Sequence, residues 1–304
     1  MEIATEARTQ SGQALLCTAL LQGTHSLWFL VIFNTILAIT STVGNIVILA
    51  ALSKETSLHP PSKILLRSLA LTDLCVGILL EPLFVVFLIT LEYKNWNLCT
   101  QVALTTFVPG QVFCNLSLFT LTAISVDRLL ALLLGIRYRQ VVTFKRVLLT
   151  VICFFTLISA LAIVVVWDYQ FSLHYNSIVV LLCSVTSTSC YTKIFQKLHH
   201  HQIHVQQGQQ NGHAPLNVAR YRKTVSSALW VQLTLVTCYL PAGTVLVLMA
   251  IKGITPTLAI AWIFFVTVVY LNSTLNPILY CWKIGDIRRA VVEILRQTFC
   301  LSAN

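Results

Sequence analysis

The sequence predicts an all-α membrane protein, a seven-transmembrane helix bundle, on three observations. Of its 304 residues 57% are hydrophobic and only 10% charged, against roughly a quarter charged in ordinary soluble domains. Seven apolar runs reach the roughly 20 residues that a bilayer crossing needs, at about 27–52, 63–89, 99–132, 147–167, 176–198, 219–250 and 257–282. Basic residues then fall on one side of the alternating pattern. With the N-terminus outside, only Arg8, Lys94 and Lys252 of the 20 Lys and Arg face outward. The others, among them Lys54, Arg137, Arg139, Lys145, Arg146, Arg220, Arg222, Lys223, Arg288 and Arg289, occupy inner loops and helix ends. Cytoplasmic loops collect Lys and Arg, so the expectation is a multi-pass plasma-membrane protein, N-terminus outside and C-terminus inside. The net charge of +10 is an inner-leaflet signature with membrane lipids as its partner. Nucleic acid is excluded, because no basic face exists away from these loops.

Residues 1–26 start with acids and hold only a short apolar patch, which reads as an extracellular tail rather than a cleaved leader. Residues 27–298 form the helical domain, and 299–304 a cytoplasmic tail. The first span carries Asn45 after Gly44, the second Asp73 in LALTD, and the third Asn115 and Ser117 before ending in Asp127-Arg128. The third and sixth spans exceed the membrane thickness, so they tilt or project. The fifth ends near Tyr191. Residues 199–213, HHHQIHVQQGQQNGH, read as a flexible solvated loop, with metal binding by the histidines as the rival reading. In the sixth span Pro241 removes a backbone hydrogen bond and should kink the helix. The seventh carries Asn272, Ser273, Asn276, Pro277 and Tyr280. Beyond it, Ile284, Ile287, Val291, Ile294 and Leu295 recur at helical spacing opposite Arg288, Arg289 and Arg296. That pattern predicts an interfacial amphipathic helix at 284–298.

Seven of the ten cysteines (Cys75, Cys114, Cys153, Cys183, Cys190, Cys238, Cys281) fall inside spans, where cysteine behaves as a small hydrophobe. Cys17 and Cys99 lie on the outer side, where an oxidising compartment permits a pairing without requiring one. Cys300 follows the amphipathic segment, and both palmitoylation and a plain thiol fit it.

A charged side chain at mid-bilayer costs about 2.5–3.5 kcal/mol on insertion scales, so those present should face the bundle interior. Asn and Ser in spans also act as interhelical glue. A buried Asp is harder to explain so: Asp73 needs a cation, a proton or several donors. The sequons at Asn115 and Asn272 are inside spans and are set aside as glycosylation sites. No HExxH, phosphate loop or nucleophile–base spacing occurs, so no enzyme is expected.

Gly44-Asn45, LALTD to Asp73, SVDRLLAL around Asp127-Arg128, the CYLP of Cys238 to Pro241 and NPILY of Asn276 to Tyr280 stand in order on five of seven spans. Together they resemble the rhodopsin-type G-protein-coupled receptors, over roughly residues 27–298. The resemblance implies a cell-surface receptor that passes an extracellular signal to heterotrimeric G proteins by outward movement of its sixth helix. Its implied partners are a small-molecule, lipid or peptide ligand, a heterotrimeric G protein and arrestin. No resident cofactor is implied, only an allosteric sodium ion held by Asp73, Ser117, Asn272, Ser273 and Asn276; one carboxylate with neutral oxygens suits a small hard cation. By the same resemblance Asn45 ties the first helix to the second and seventh. Arg128 exchanges an inactive pairing with Asp127 for an active contact with the G protein, Tyr191 and Tyr280. Pro241 is the pivot of the sixth helix and Pro277 loosens the seventh. Leu129 replaces the family's usual tyrosine after Arg128, and Tyr239 its usual tryptophan before Pro241.

Other departures narrow the branch. Ala103 stands where the family's helix-three cysteine falls, with Trp96 matching the first outer loop's tryptophan and Cys99 four residues too early. The second outer loop, roughly 167–176, is short and has no cysteine; helix five has no proline, Cys183 standing near its place. This resembles the melanocortin, lysophospholipid, cannabinoid and adenosine branch. The pocket implied comprises Phe107, Gly110, Gln111, Cys114, Tyr239, Leu246, Trp262, Val266 and Tyr270. Gly110 stands where amine receptors hold an aspartate, so a charged amine is disfavoured. Ala103 and Phe107 stand where melanocortin receptors place acids, leaving Glu81 nearby. An apolar, aromatic-lined pocket favours a hydrophobic or lipid-like ligand. The seventh span has no lysine before Lys283, which argues against retinal. No acid near the start of helix six offers Arg128 a partner, so basal signalling should be measurable. The rivals are a transporter or channel, which should show broken helices in matched repeats, and a receptor-like scaffold that does not signal.

Overall fold

The structure, a computed structural model, describes the backbone of residues 2–23, 26–54, 59–208, 216–283 and 285–301. Within these, the side chains of 2–11, 163–167, 198, 201–208, 216–232, 283 and 298–301 lie outside the description. The chain runs α1 (Glu2–Gly23), α2 (Trp28–Lys54), α3 (Pro60–Cys75), a π-helical turn (Val76–Leu80), α4 (Glu81–Glu92) and α5 (Trp96–Leu134). A 3-10 turn (Gly135–Arg137) and α6 (Tyr138–Val141) follow, then α7 (Phe144–Trp167), α8 (Tyr169–Gly208), α9 (Leu216–Lys252), α10 (Pro256–Lys283) and α11 (Gly285–Leu301). Seven stretches are long and apolar enough to cross a membrane: α2, α3 through α4, α5 with its extension to Val141, and parts of α7, α8, α9 and α10. The protein is a multi-pass, all-α seven-helix bundle.

Local chemistry sets the boundaries. Pro60 and Pro61 open α3, where a missing amide hydrogen costs nothing. Asn95 caps α5, its Oδ1 accepting from the Leu98 amide at 3.1 Å. Gly253 ends α9 at φ +79°, a conformation that favours glycine, and its amide donates to Met249 O. The π turn lies immediately before Glu81-Pro82. A proline in a regular helix clashes with the carbonyl four residues back, and the wider turn relieves that crowding. Here Gly77 passes so close to α2 that an added Cβ would lie 2.9 Å from the Thr42 backbone nitrogen.

α5 is the central helix, touching α3, α4, α7, α8 and α9, while α2 packs on α3, α4 and α10. Two apolar cores fill the bundle, one around Phe84, Phe87, Leu88 and Ile263, the other around Leu52, Leu69, Leu121 and Leu235. Phe29, Ile32, Ile36, Ile39, Val43 and Ile46 form an exposed stripe along α2. So much apolar surface is sustainable only against hydrocarbon.

Three segments differ from the sequence reading. Within the expected tail at 1–26, residues 2–23 form the helix α1, docked across one end of the bundle. The expected loop at 167–176 is reduced to Asp168, because α8 begins at Tyr169. Asp168 Oδ1 accepts the amides of Gln170 and Phe171 at 2.9 and 3.1 Å and so caps the new helix start. The loop expected at 199–213 is helical as far as Gly208, and 209–215 lie outside the described residues. α11 lays Ile287, Ala290 and Val291 against the bundle and exposes Arg288 and Arg289, the amphipathic arrangement expected of 284–298. The Cys300 side chain is outside the described residues.

Candidate functional site

Asp73 lies at the centre of the bundle, fully buried. Its Oδ1 accepts from Ser117 Oγ of α5 at 3.2 Å and from Ser273 Oγ of α10 at 2.9 Å. Its Oδ2 accepts from Asn276 Nδ2 of α10 at 2.7 Å. Three spans thus converge on one carboxylate, which answers the need for donors that burial imposes. Asn45 closes the arrangement on α2, its Nδ2 donating to Ser41 O at 2.8 Å and Ser273 O at 3.2 Å. Asn272 differs from the rest of the expected set. It is buried, yet neither amide atom has a hydrogen-bond partner. The Oδ1 atoms of Asn45 and Asn276 and the hydroxyl of Tyr280 are likewise buried and unpartnered. A carboxylate, two hydroxyl oxygens and the free Oδ1 of Asn276 form an all-oxygen donor set, which fits a small hard cation.

At the inner end of α5, Asp127 does not pair with Arg128. Its Oδ2 accepts from Ser62 Oγ at 3.0 Å and its Oδ1 from Tyr138 OH at 2.6 Å. Tyr138, from the turn after α5, also packs its ring on His59. Arg128 has no ion pair among the described residues, and Tyr191 of α8 packs against Leu129, its neighbour in the chain. Two hydroxyl donors can satisfy an acid as an arginine does, and they leave the arginine side chain free. Ser62 and Tyr138 were missed in the sequence: the loop around 137–146 read only as basic, and no pattern tied its tyrosine to an acid eleven residues earlier.

Toward the other end, a cavity gathers Phe107, Gly110, Gln111, Cys114, Tyr239, Leu246, Trp262, Val266 and Tyr270, the whole expected pocket set. Phe107 meets Trp262 edge-on at 4.9 Å and Phe87 at 5.2 Å, and Phe84 meets Tyr270 at 5.3 Å. The opposite wall is polar. Asn115 Nδ2 donates to Asn176 Oδ1 at 3.0 Å and to Gln111 Oε1 at 3.3 Å; Gln111 Nε2 and Asn176 Nδ2 both donate to Ser172 Oγ at 3.3 Å. Asn176 and Ser172 escaped the sequence reading because they sit where a loop was expected. Among the described residues, no Asp, Glu, Lys, Arg or His lines the cavity. An added Cβ at Gly110 would meet nothing within 4 Å.

Tyr239 lines the cavity together with Cys114, which lies one turn before Ser117 on α5, so the cavity comes within a turn of the Asp73 cluster. Glu81 lies one helical turn inward of Phe84, buried, with neither carboxylate oxygen partnered. An unsatisfied buried polar group costs about 1–3 kcal/mol in proteins. Glu81→Leu is therefore expected to raise the stability of the purified protein by about that amount, read as the melting temperature in detergent. A lower melting temperature would show that the carboxyl has a partner after all.

The family described as 7 transmembrane receptor (rhodopsin family) matches residues 44–172 and 163–280. Adenosine receptor A3 of Ovis aries is 25% identical over 306 residues, covering 88% of this chain and 91% of the relative. Adenosine receptor A2b of Gallus gallus is 23% identical over 312 residues, 89% of each. A Dopamine D2-like receptor of Drosophila melanogaster is 30% identical over 138 residues, 45% of this chain and 15% of the relative.

Proposed function

The chain belongs to the rhodopsin family of seven-transmembrane, G-protein-coupled receptors, and from that premise we propose a plasma-membrane receptor, N-terminus outside, for an uncharged and largely apolar ligand. The observation that carries the proposal is the cavity, whose described lining is aromatic and amide-bearing with no charged side chain, and which reaches Cys114, one turn from Ser117 on α5. A ligand seated against Phe107, Trp262 and Tyr239 presses on α9 beside Pro241, where the missing backbone hydrogen bond makes the helix compliant. Movement there loosens Ser117 from Asp73 and lets α10 shift about Pro277. Tyr280 then follows toward Arg128, which is free to receive a G protein between α5, α8 and α9. A ligand achieves this only through preferring the shifted form, since it moves an equilibrium by no more than its differential affinity.

Asp73, Ser117, Ser273 and Asn276 are the residues that would hold sodium, with Asn272 beside Ser273 as a further neutral oxygen. The ion supplies a compact positive charge that favours the gathered, resting arrangement. The chain's own contribution is to bring oxygens from α3, α5 and α10 to one point.

The relatives' names pose a choice between a nucleoside and a cationic amine. A lining without an acid among its described residues offers an ammonium group no counter-charge, and burying an unpaired charge is costly. The uncharged alternative suits the aromatic wall, and the facing amides supply both donors and acceptors. The test is a screen of matched neutral, cationic and anionic small molecules on cells carrying a promiscuous G-protein reporter. Neutral compounds are expected to score, and Gly110→Trp, which fills open space in the cavity, is expected to abolish their responses at unchanged surface expression. A hit list dominated by amines, insensitive to Gly110→Trp, would sink the ligand reading.

A further inference from the structure

α1 lies across the N-terminal end of the bundle and touches α4, α5, α7, α8 and α10. Its contacts are close. An added Cβ at Gly12 would lie 2.5 Å from the Tyr169 ring, and one at Gly23 would lie 2.8 Å from Ile260. Leu16, Cys17 and Leu20 are buried, in one apolar cluster with Phe84 and Phe87. A disulfide joins Cys17 to Cys99 near the start of α5. Gln13 and Leu16 line the same cavity as Tyr239 and Trp262.

We propose that α1 is the roof of the ligand pocket and part of its binding surface, locked in place by the Cys17–Cys99 disulfide. The proposal rests on the cavity being the ligand site. It extends that reading to a segment that carries no motif, and narrows the ligand to an uncharged molecule able to lie beneath Leu16. Two independent features fix the roof. The glycines at 12 and 23 let the helix backbone press on α8 and α10, where any side chain would hold it off. The disulfide tethers the helix at a point between those two contacts. Neither is needed for membrane insertion, and both serve to keep the helix over the cavity. A charged molecule in the water outside meets Gln13, Leu16 and Tyr169 before it meets anything deeper, so exchange with the pocket requires the roof to lift.

Cys114 is a free cysteine on the cavity wall and reports on this directly. The experiment uses the full-length receptor on intact cells and a charged thiol reagent, (2-trimethylammonium)ethyl methanethiosulfonate. The rate of Cys114 modification is read by mass spectrometry, with Cys114→Ser as background. In Cys17→Ser/Cys99→Ser the rate is expected to rise at least about tenfold over the intact receptor, a conservative reading of what a disulfide contributes to holding two segments together. Gly12→Leu keeps the disulfide but forces α1 off Tyr169, and it should raise the rate as well. Cys183 and Cys238, buried in the core around Leu121 and Leu235, must stay unlabelled, which separates a lifted roof from a lost fold. If the double variant is unstable by that criterion, Gly12→Leu decides. Equal Cys114 rates in intact and altered receptors would overturn the proposal. The labelling needs no ligand, so that outcome would leave the receptor reading untouched, whereas a failed ligand screen would leave the roof standing.

Discussion

Replacing Asp73 with leucine is expected to destabilise the receptor by roughly 3–5 kcal/mol. Ser117, Ser273 and Asn276 each donate to this carboxylate from other helices. A buried donor left without an acceptor costs about 1–3 kcal/mol, and burying the leucine returns at most about 2 kcal/mol. At roughly 2–4 °C per kcal/mol for a chain of a few hundred residues, the melting temperature in detergent should fall by about 6 °C or more. Failure to recover folded receptor would count as the same outcome. Asp73→Asn keeps an acceptor oxygen in the same place and should lose far less. A leucine variant as stable as the parent would mean that the convergence on Asp73 contributes nothing to the fold.

Arg128→Ala should abolish signalling while leaving the amount of receptor at the surface unchanged. Asp127 is satisfied by Ser62 and Tyr138, so removing the arginine strands no buried acid. What disappears is a cation beside Leu129, the residue against which Tyr191 packs. Because no ion pair holds Arg128 in the resting arrangement, the unmodified receptor should show ligand-free nucleotide exchange on its G protein. Arg128→Ala should reduce that exchange by at least about tenfold, equivalent to roughly 1.4 kcal/mol. Exchange by the unmodified receptor no greater than by the variant would show that the free arginine confers no basal activity.

The seven spans were legible because bilayer thickness imposes a minimum apolar length and loop charge imposes a side, two constraints that leave plain marks in a sequence. Some spans run well past their apolar stretches, α8 most of all from Tyr169 to Gly208 against 176–198, since helices project past hydrocarbon with polar residues that hydropathy does not count, whereas α2 and α10 end close to theirs. Asp73, Asn45 and Asn276 were legible for the converse reason, as polar groups where polarity is expensive. The partners of Asp127 were not. Ser62 and Tyr138 fall outside the apolar runs of the sequence, where hydroxyl groups are ordinary, and only the fold buries them against the acid. α1 was illegible for a third reason. Its composition resembles that of a solvated tail, and its order comes from Gly12 and Gly23 meeting Tyr169 and Ile260, contacts that exist only once the bundle has formed. The early start of α8 followed from a single cap at Asp168, a residue that reads equally well as a loop member.

The central claim is that the Asp73 cluster is a sodium-sensitive link between the pocket and Arg128. The most direct test is ligand-free G-protein activation by the purified receptor in lipid nanodiscs, in sodium chloride against choline chloride at equal ionic strength. Sodium should lower the rate for the unmodified receptor, and Asp73→Asn should make the two salts equivalent. Equal rates in both salts for the unmodified receptor would contradict the account.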